Sequence, residues 1–93
     1  MAFKHIDVTL SGSTRVTATN TPIQQFILHN PTGNASVTIG DSNLSATSYG
    51  ILVAAGANSP PIGPFSASAP LSLSEVYVRG TDAQLVHISY VTH

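Results

Sequence analysis

The chain contains no cysteine and no tryptophan. The first absence excludes disulfides, thiolate zinc sites, Fe–S clusters and a Cys nucleophile together. Charge is scarce as well. Three Lys/Arg and four Asp/Glu make up 8% of 93 residues, where an average soluble protein carries roughly a quarter. The resulting net charge of −1 leaves no basic patch for nucleic acid. No run of about 18 apolar residues exists, so nothing reads as a transmembrane helix. The start, Met1 to Val8, lacks the apolar core of a signal peptide, and the triplets beginning at Asn34 and Asn43 are accordingly read as chance matches to the glycosylation sequon.

What is present is Ser and Thr, about a quarter of the chain, residue types that favour strands and turns over helices. At 9.6 kDa, surface scaling gives roughly 5,100 Å² folded against roughly 14,000 Å² unfolded, enough for one modest core. A surface this poor in charge is hard to leave bare, since charge is what keeps small domains apart. The composition predicts a protein that lives in an assembly. A homo-oligomer is expected, with a trimer favoured.

Helical periodicity is missing, and Gly and Pro interrupt every stretch of helical length. Alternation instead predicts short strands. Ile6, Val8 and Leu10 alternate with His5, Asp7 and Thr9, and a weaker strand follows over Thr14 to Thr19 with Val16 and Ala18 inward, ending before Pro22. Gln25 to His29 and Ser36 to Ile39 flank the turn-rich Asn30-Pro31-Thr32-Gly33-Asn34, which predicts a β-hairpin with Leu28 opposite Val37 and Phe26 opposite Ile39. Tyr49 to Ala55 reads as a short strand. Ala57 to Pro70 holds Pro60, Pro61, Pro64 and Pro70, so it is expected to be an edge strand or extended loop anchored by Phe65. A second hairpin is predicted around Gly80 to Ala83, pairing Val78 with Val86 and Val76 with Ile88 and setting Tyr77 and His87 together on the other face. The sum is about seven or eight short strands. That count suits an all-β, small antiparallel β-sandwich or jelly roll, one domain over 1–93 with an N-terminal arm at 1–8.

Residues that carry chemistry are few and scattered. His5, His29, His87 and His93 show neither His-x-His nor His-x-x-x-His spacing, so they are expected to be exposed or hydrogen-bonded strand histidines unless the fold brings two together. Asp7, Asp41, Glu75 and Asp82 nominate no acid/base pair. No Gly-x-Ser-x-Gly elbow singles out a serine, and the glycines match no phosphate loop. Arg79-Gly80-Thr81-Asp82 reads as a hairpin turn. No catalytic residue, cofactor or metal ligand is assigned.

The order of short motifs is more specific than any one of them. His29 to Leu44 contains an Asn-rich turn followed by Val37-Thr38-Ile39-Gly40-Asp41-Ser42-Asn43; Gly50 to Gly56 and Leu73 to Val78 follow; Gly80 and the final strand Val86 to Val91 close the series. Over residues 26 to 91 this order resembles small virion proteins of tailed bacteriophages. The resemblance implies a β-sandwich component of the particle, a capsid decoration or cement protein. Its partners would be the major capsid protein or other virion proteins, and its place the virion, assembled in the host cytoplasm. It implies no catalytic residue.

A cement protein covers edges between capsid subunits, a task for shape and apolar contact. Two segments outside the hairpins are expected to make that contact: the N-terminal strand, through Phe3 and His5, and the proline-rich stretch, through Pro60, Pro61, Pro64 and Phe65. A tail, neck or head-fibre component is the nearest alternative. A small carbohydrate-binding module is another, with Tyr49, Tyr77 and Tyr90 as the only aromatic platforms.

Overall fold

Alternating apolar residues and frequent turn formers cut this chain into nine short antiparallel strands with no α-helix. The computed structural model describes all 93 residues. The strands are β1 (Phe3–Thr9), β2 (Ser13–Arg15), β3 (Pro22–Ile23), β4 (Gln25–His29), β5 (Val37–Gly40), β6 (Ile51–Val53), β7 (Leu71–Ser72), β8 (Tyr77–Arg79) and β9 (Leu85–Val91). One 3-10 turn, Leu73–Glu75, lies between β7 and β8.

Three sheets form. A three-stranded sheet has the order β1-β9-β4, a four-stranded sheet the order β2-β8-β5-β6, and β3 pairs with β7 in a two-stranded ribbon. The apolar sides of the sheets enclose one core in a β-sandwich-like arrangement. Phe26, Leu28, Val37, Ile39, Val76, Val78, Val86 and Ile88 are all buried in it, joined by Val8, Leu10, Val16, Ile23, Val53 and Leu73. The inward sets expected from alternation are therefore the observed ones, apart from Ala18, which is exposed because the strand holding Val16's neighbours ends at Arg15.

The expected strand partners are not the observed ones. β4 pairs with β9, not β5, and β5 pairs with β6 and β8; likewise β8 pairs with β5 and β2, while β9 lies between β1 and β4. Both predicted hairpins are instead crossings from one sheet to the other. Leu28 and Val37, or Val78 and Val86, belong to facing sheets. Tyr77 and His87 consequently lie in different sheets and share no face.

The first crossing is organised by Asn30, a fully buried polar residue. Its Nδ2 donates to the carbonyls of Ala35 and Val53, its Oδ1 accepts from Asn34 Nδ2, and its backbone N–H and C=O bond Ala57 and Gly56. A side chain with so many local partners fixes a wide corner, where a tight hairpin would leave its amide unpaired in the core. The second crossing runs through Gly80. A Cβ there would stand 2.7 Å from Leu10 Cδ1 and 2.8 Å from Val37 Cγ1, so the absence of a side chain lets the backbone pass between the sheets.

The N-terminal segment is not a free arm. It is β1, antiparallel to β9 over its whole length from Phe3↔Val91 to Thr9↔Leu85. The proline-rich stretch is built in too, as an irregular extension of the same sheet beyond β4. Phe26 N–H donates to Ile62 O and Ile62 N–H to Phe26 O, Ser59 N–H donates to Leu28 O, and Phe65 N–H to Gln24 O. Where a ladder bond is missing, buried Ser59 supplies it: its Oγ accepts from Leu28 N–H and donates to Pro60 O. The expectation of an edge strand or extended loop describes this segment. The expected N-terminal arm, by contrast, is a full strand of the sheet, paired with β9 along its length.

Candidate interaction surface

The two segments expected to bind a partner lie at opposite edges of one sheet, in the order β1, β9, β4 and then the strip formed by residues 57–65. Their edges differ in kind. Thr92 N–H donates to Ala2 O, and Leu10 N–H donates to Gln84 O. By the alternation of an antiparallel ladder, the even residues of β1 turn their backbone groups to β9. Phe3, His5, Asp7 and Thr9 therefore direct theirs to the open edge, where no strand pairs with them.

Phe3 is 76% exposed and His5 is also exposed. At the other edge Pro60, Pro61 and Pro64 are exposed, while Phe65 is half-buried. Phe65 lines a cleft of about 280 Å³ at the mouth between the sheets, with Phe26, Ile39, Ile51, Ile62 and Leu71. It anchors the strip against the sandwich and offers only part of its ring outward. Phe3, His5 and the prolines are thus surface residues, whereas Phe65 divides its surface between core and solvent.

Every carboxylate has a local partner. Asp41 Oδ1 accepts from Asn43 N–H, Asp82 Oδ1 from Gly12 N–H, and Glu75 Oε2 from Ser72 N–H in a capping box with Ser72. Asp7 Oδ1 lies 2.7 Å from His87 Nδ1. No two carboxylates face each other across a cleft, and no group of three or more His, Asp or Glu side chains is gathered to hold a metal ion. The three tyrosines are divided as well. Tyr90 packs against the core, Tyr77 accepts from Arg15 Nε with the guanidinium 5.6 Å above its ring, and Tyr49 lines a separate hollow of about 250 Å³.

Sequence spacing could not show one further arrangement. Register places Asp7, His87 and His29 opposite one another on β1, β9 and β4, and a bridge continues the row to Asn58 on the proline strip. The His29 and His87 rings stack, with centroids 6.1 Å apart and planes 14° from parallel. These residues are 58 apart in the chain, and only the correct strand partners bring them together.

Comparison with protein families, curated protein sequences and solved structures finds no match for this chain.

Proposed function

We propose that this protein is a non-enzymatic structural component of a virus particle, a capsid decoration or cement protein that binds between shell subunits and exists as a homo-oligomer, with a trimer favoured. The observation that carries the reading is the open edge of β1. Seven consecutive residues form a regular strand with one unpaired side, and a strand edge of this kind recruits another chain by main-chain hydrogen bonds without needing charge. Phe3 adds an apolar anchor beside it.

Two further features support the proposal. A sheet with two unlike edges can touch two neighbours at once, which suits a protein seated over a seam. Scarce charge removes the repulsion that otherwise keeps small domains dispersed. Repetition on a lattice would then turn modest single contacts into firm attachment through effective concentration. The order of motifs over residues 26 to 91, with its likeness to phage virion proteins, supplies the kind of assembly; the partners would be the major capsid protein or another virion protein.

The test is the number of copies in purified particles, measured by quantitative mass spectrometry against a major shell protein. Hundreds of copies per particle are expected for a decoration protein. A dozen or fewer would move the protein to the tail, neck or head fibre, and absence from particles would end the virion reading.

A further inference from the structure

Beyond its proposed structural role, we infer that the row across the outer face of the three-stranded sheet is a binding site for a divalent transition-metal ion, held by the Nε2 atoms of His29 and His87. The argument starts from proton placement. His87 Nδ1 lies 2.7 Å from Asp7 Oδ1, and His29 Nδ1 lies 2.7 Å from Asn58 Oδ1. A carboxylate oxygen and an amide oxygen only accept hydrogen bonds. Both imidazoles must therefore carry a proton on Nδ1, and in the neutral rings the lone pair is on Nε2.

Nε2 is the distal nitrogen of the ring, so on a sheet's outward face it sits at the solvent side. His29 is exposed, and the His87 side chain retains 37% of its accessible surface. An oxygen acceptor on one ring nitrogen that leaves the other free is the arrangement that orients histidine ligands and raises their basicity in metal sites. Here it occurs twice, on adjacent strands.

The spacing is near what an ion requires. Two imidazoles on one tetrahedral zinc, with Zn–N of about 2.0–2.1 Å, hold their ring centroids roughly 5.2 Å apart. The observed 6.1 Å exceeds that by about 0.9 Å, and because each lone pair lies in its ring plane, binding also requires the two surface rings to turn so that their Nε2 atoms converge on the ion. Imidazole pairs favour zinc, copper and nickel over calcium or magnesium, which prefer oxygen. Water completes the coordination. Asp7 stays on Nδ1 as the orienting partner, and His5, one row away on the same face of β1 beside Ser89, lies outside the pair.

Titration of the intact protein with zinc chloride, followed by calorimetry and by the imidazole signals in NMR spectra, tests this inference. One ion per chain is expected, with the His29 and His87 signals moving together and magnesium chloride producing no change. His29→Gln or His87→Gln should abolish the binding. Asp7→Asn and Asn58→Ala should weaken it by about 10-fold to 100-fold while both ligands remain, and His5→Gln should leave it unchanged. Circular dichroism verifies that the variants fold, and the wild-type signals report on the site independently of any variant. Binding that survives either glutamine substitution, that moves the His5 or His93 signals instead, or that fails to saturate at one ion per chain would overturn the inference.

Discussion

The two edges of the three-stranded sheet solve the same problem in opposite ways. On the strip formed by residues 57–65, three exposed prolines remove backbone donors, Ser59 Oγ accepts from Leu28 N–H where no backbone carbonyl does, and Phe65 tucks the far end against the core. Such an edge is closed to further strands. On β1 every odd residue from Phe3 to Thr9 keeps its donor and its acceptor facing outward, guarded only by the charge of Lys4 and Asp7. The difference teaches where association should occur: β1 offers main-chain pairing, while the proline strip offers a preset surface whose docking costs little conformational entropy.

Deleting residues 2 to 7 bears most heavily on this contrast. β1 is half the covering of β9, and a chain of this size has total stability on the order of 5–15 kcal/mol. We expect the deletion to abolish the cooperative thermal transition. A truncated chain that melts like the full one would show that β1 is a dispensable arm after all. Next in size is the shared core between the edges. Leu28→Ala, at a fully buried site on β4, should cost about 2–5 kcal/mol in chemical denaturation; a loss under about 0.5 kcal/mol would contradict the packing described.

Smaller effects separate the edges. Gly63 sits at φ +126°, and a Cβ there would meet the carbonyl of Gln24, so Gly63→Ala should destabilise the proline strip by about 1–3 kcal/mol. On β1, parity predicts an asymmetry between neighbours. Ile6→Pro removes a donor aimed at β9 and leaves an acceptor unpaired, costing about 1–3 kcal/mol. His5→Pro removes only an outward donor, so it should spare most of the stability and suppress association measured by light scattering. Equal destabilisation by the two would refute the assigned parity. Phe3→Ala is expected to change stability by less than about 0.5 kcal/mol and to weaken association alone.

Much of the fold was legible in the sequence, for reasons that also mark where legibility ended. Alternation reports which side of a strand is inward, and it identified Phe26, Leu28, Val37, Ile39, Val76, Val78, Val86 and Ile88 as core. It does not report which strand lies alongside. A hairpin and a crossing between facing sheets both bury the same residues, and the turn-rich Asn30 to Asn34 suits either. The deciding facts are tertiary: the carbonyls of Ala35 and Val53 around Asn30, and the side chains of Leu10 and Val37 around Gly80. The same blindness hid the histidine row. His29 and His87 meet only because β9 lies between β1 and β4, whereas the predicted hairpins would have set Tyr77 beside His87. The exposure of Pro60, Pro61 and Pro64 follows from proline chemistry, which is local, whereas the edge position of Phe3 and His5 depends on the pairing of β1 with β9. Phe65 was legible as an anchor, though its half-burial depends on the cleft.

Hydrogen exchange at single amides of β1 tests the central claim most directly, comparing the isolated chain with the assembled one. In the isolated chain the amides of Phe3, His5, Asp7 and Thr9 face solvent and should exchange rapidly, while those of Lys4, Ile6 and Val8, turned to β9, should be protected. Assembly should protect the odd set and leave the even set as it was. Odd amides that exchange as fast in the assembled protein as in the free one would contradict association through the β1 edge.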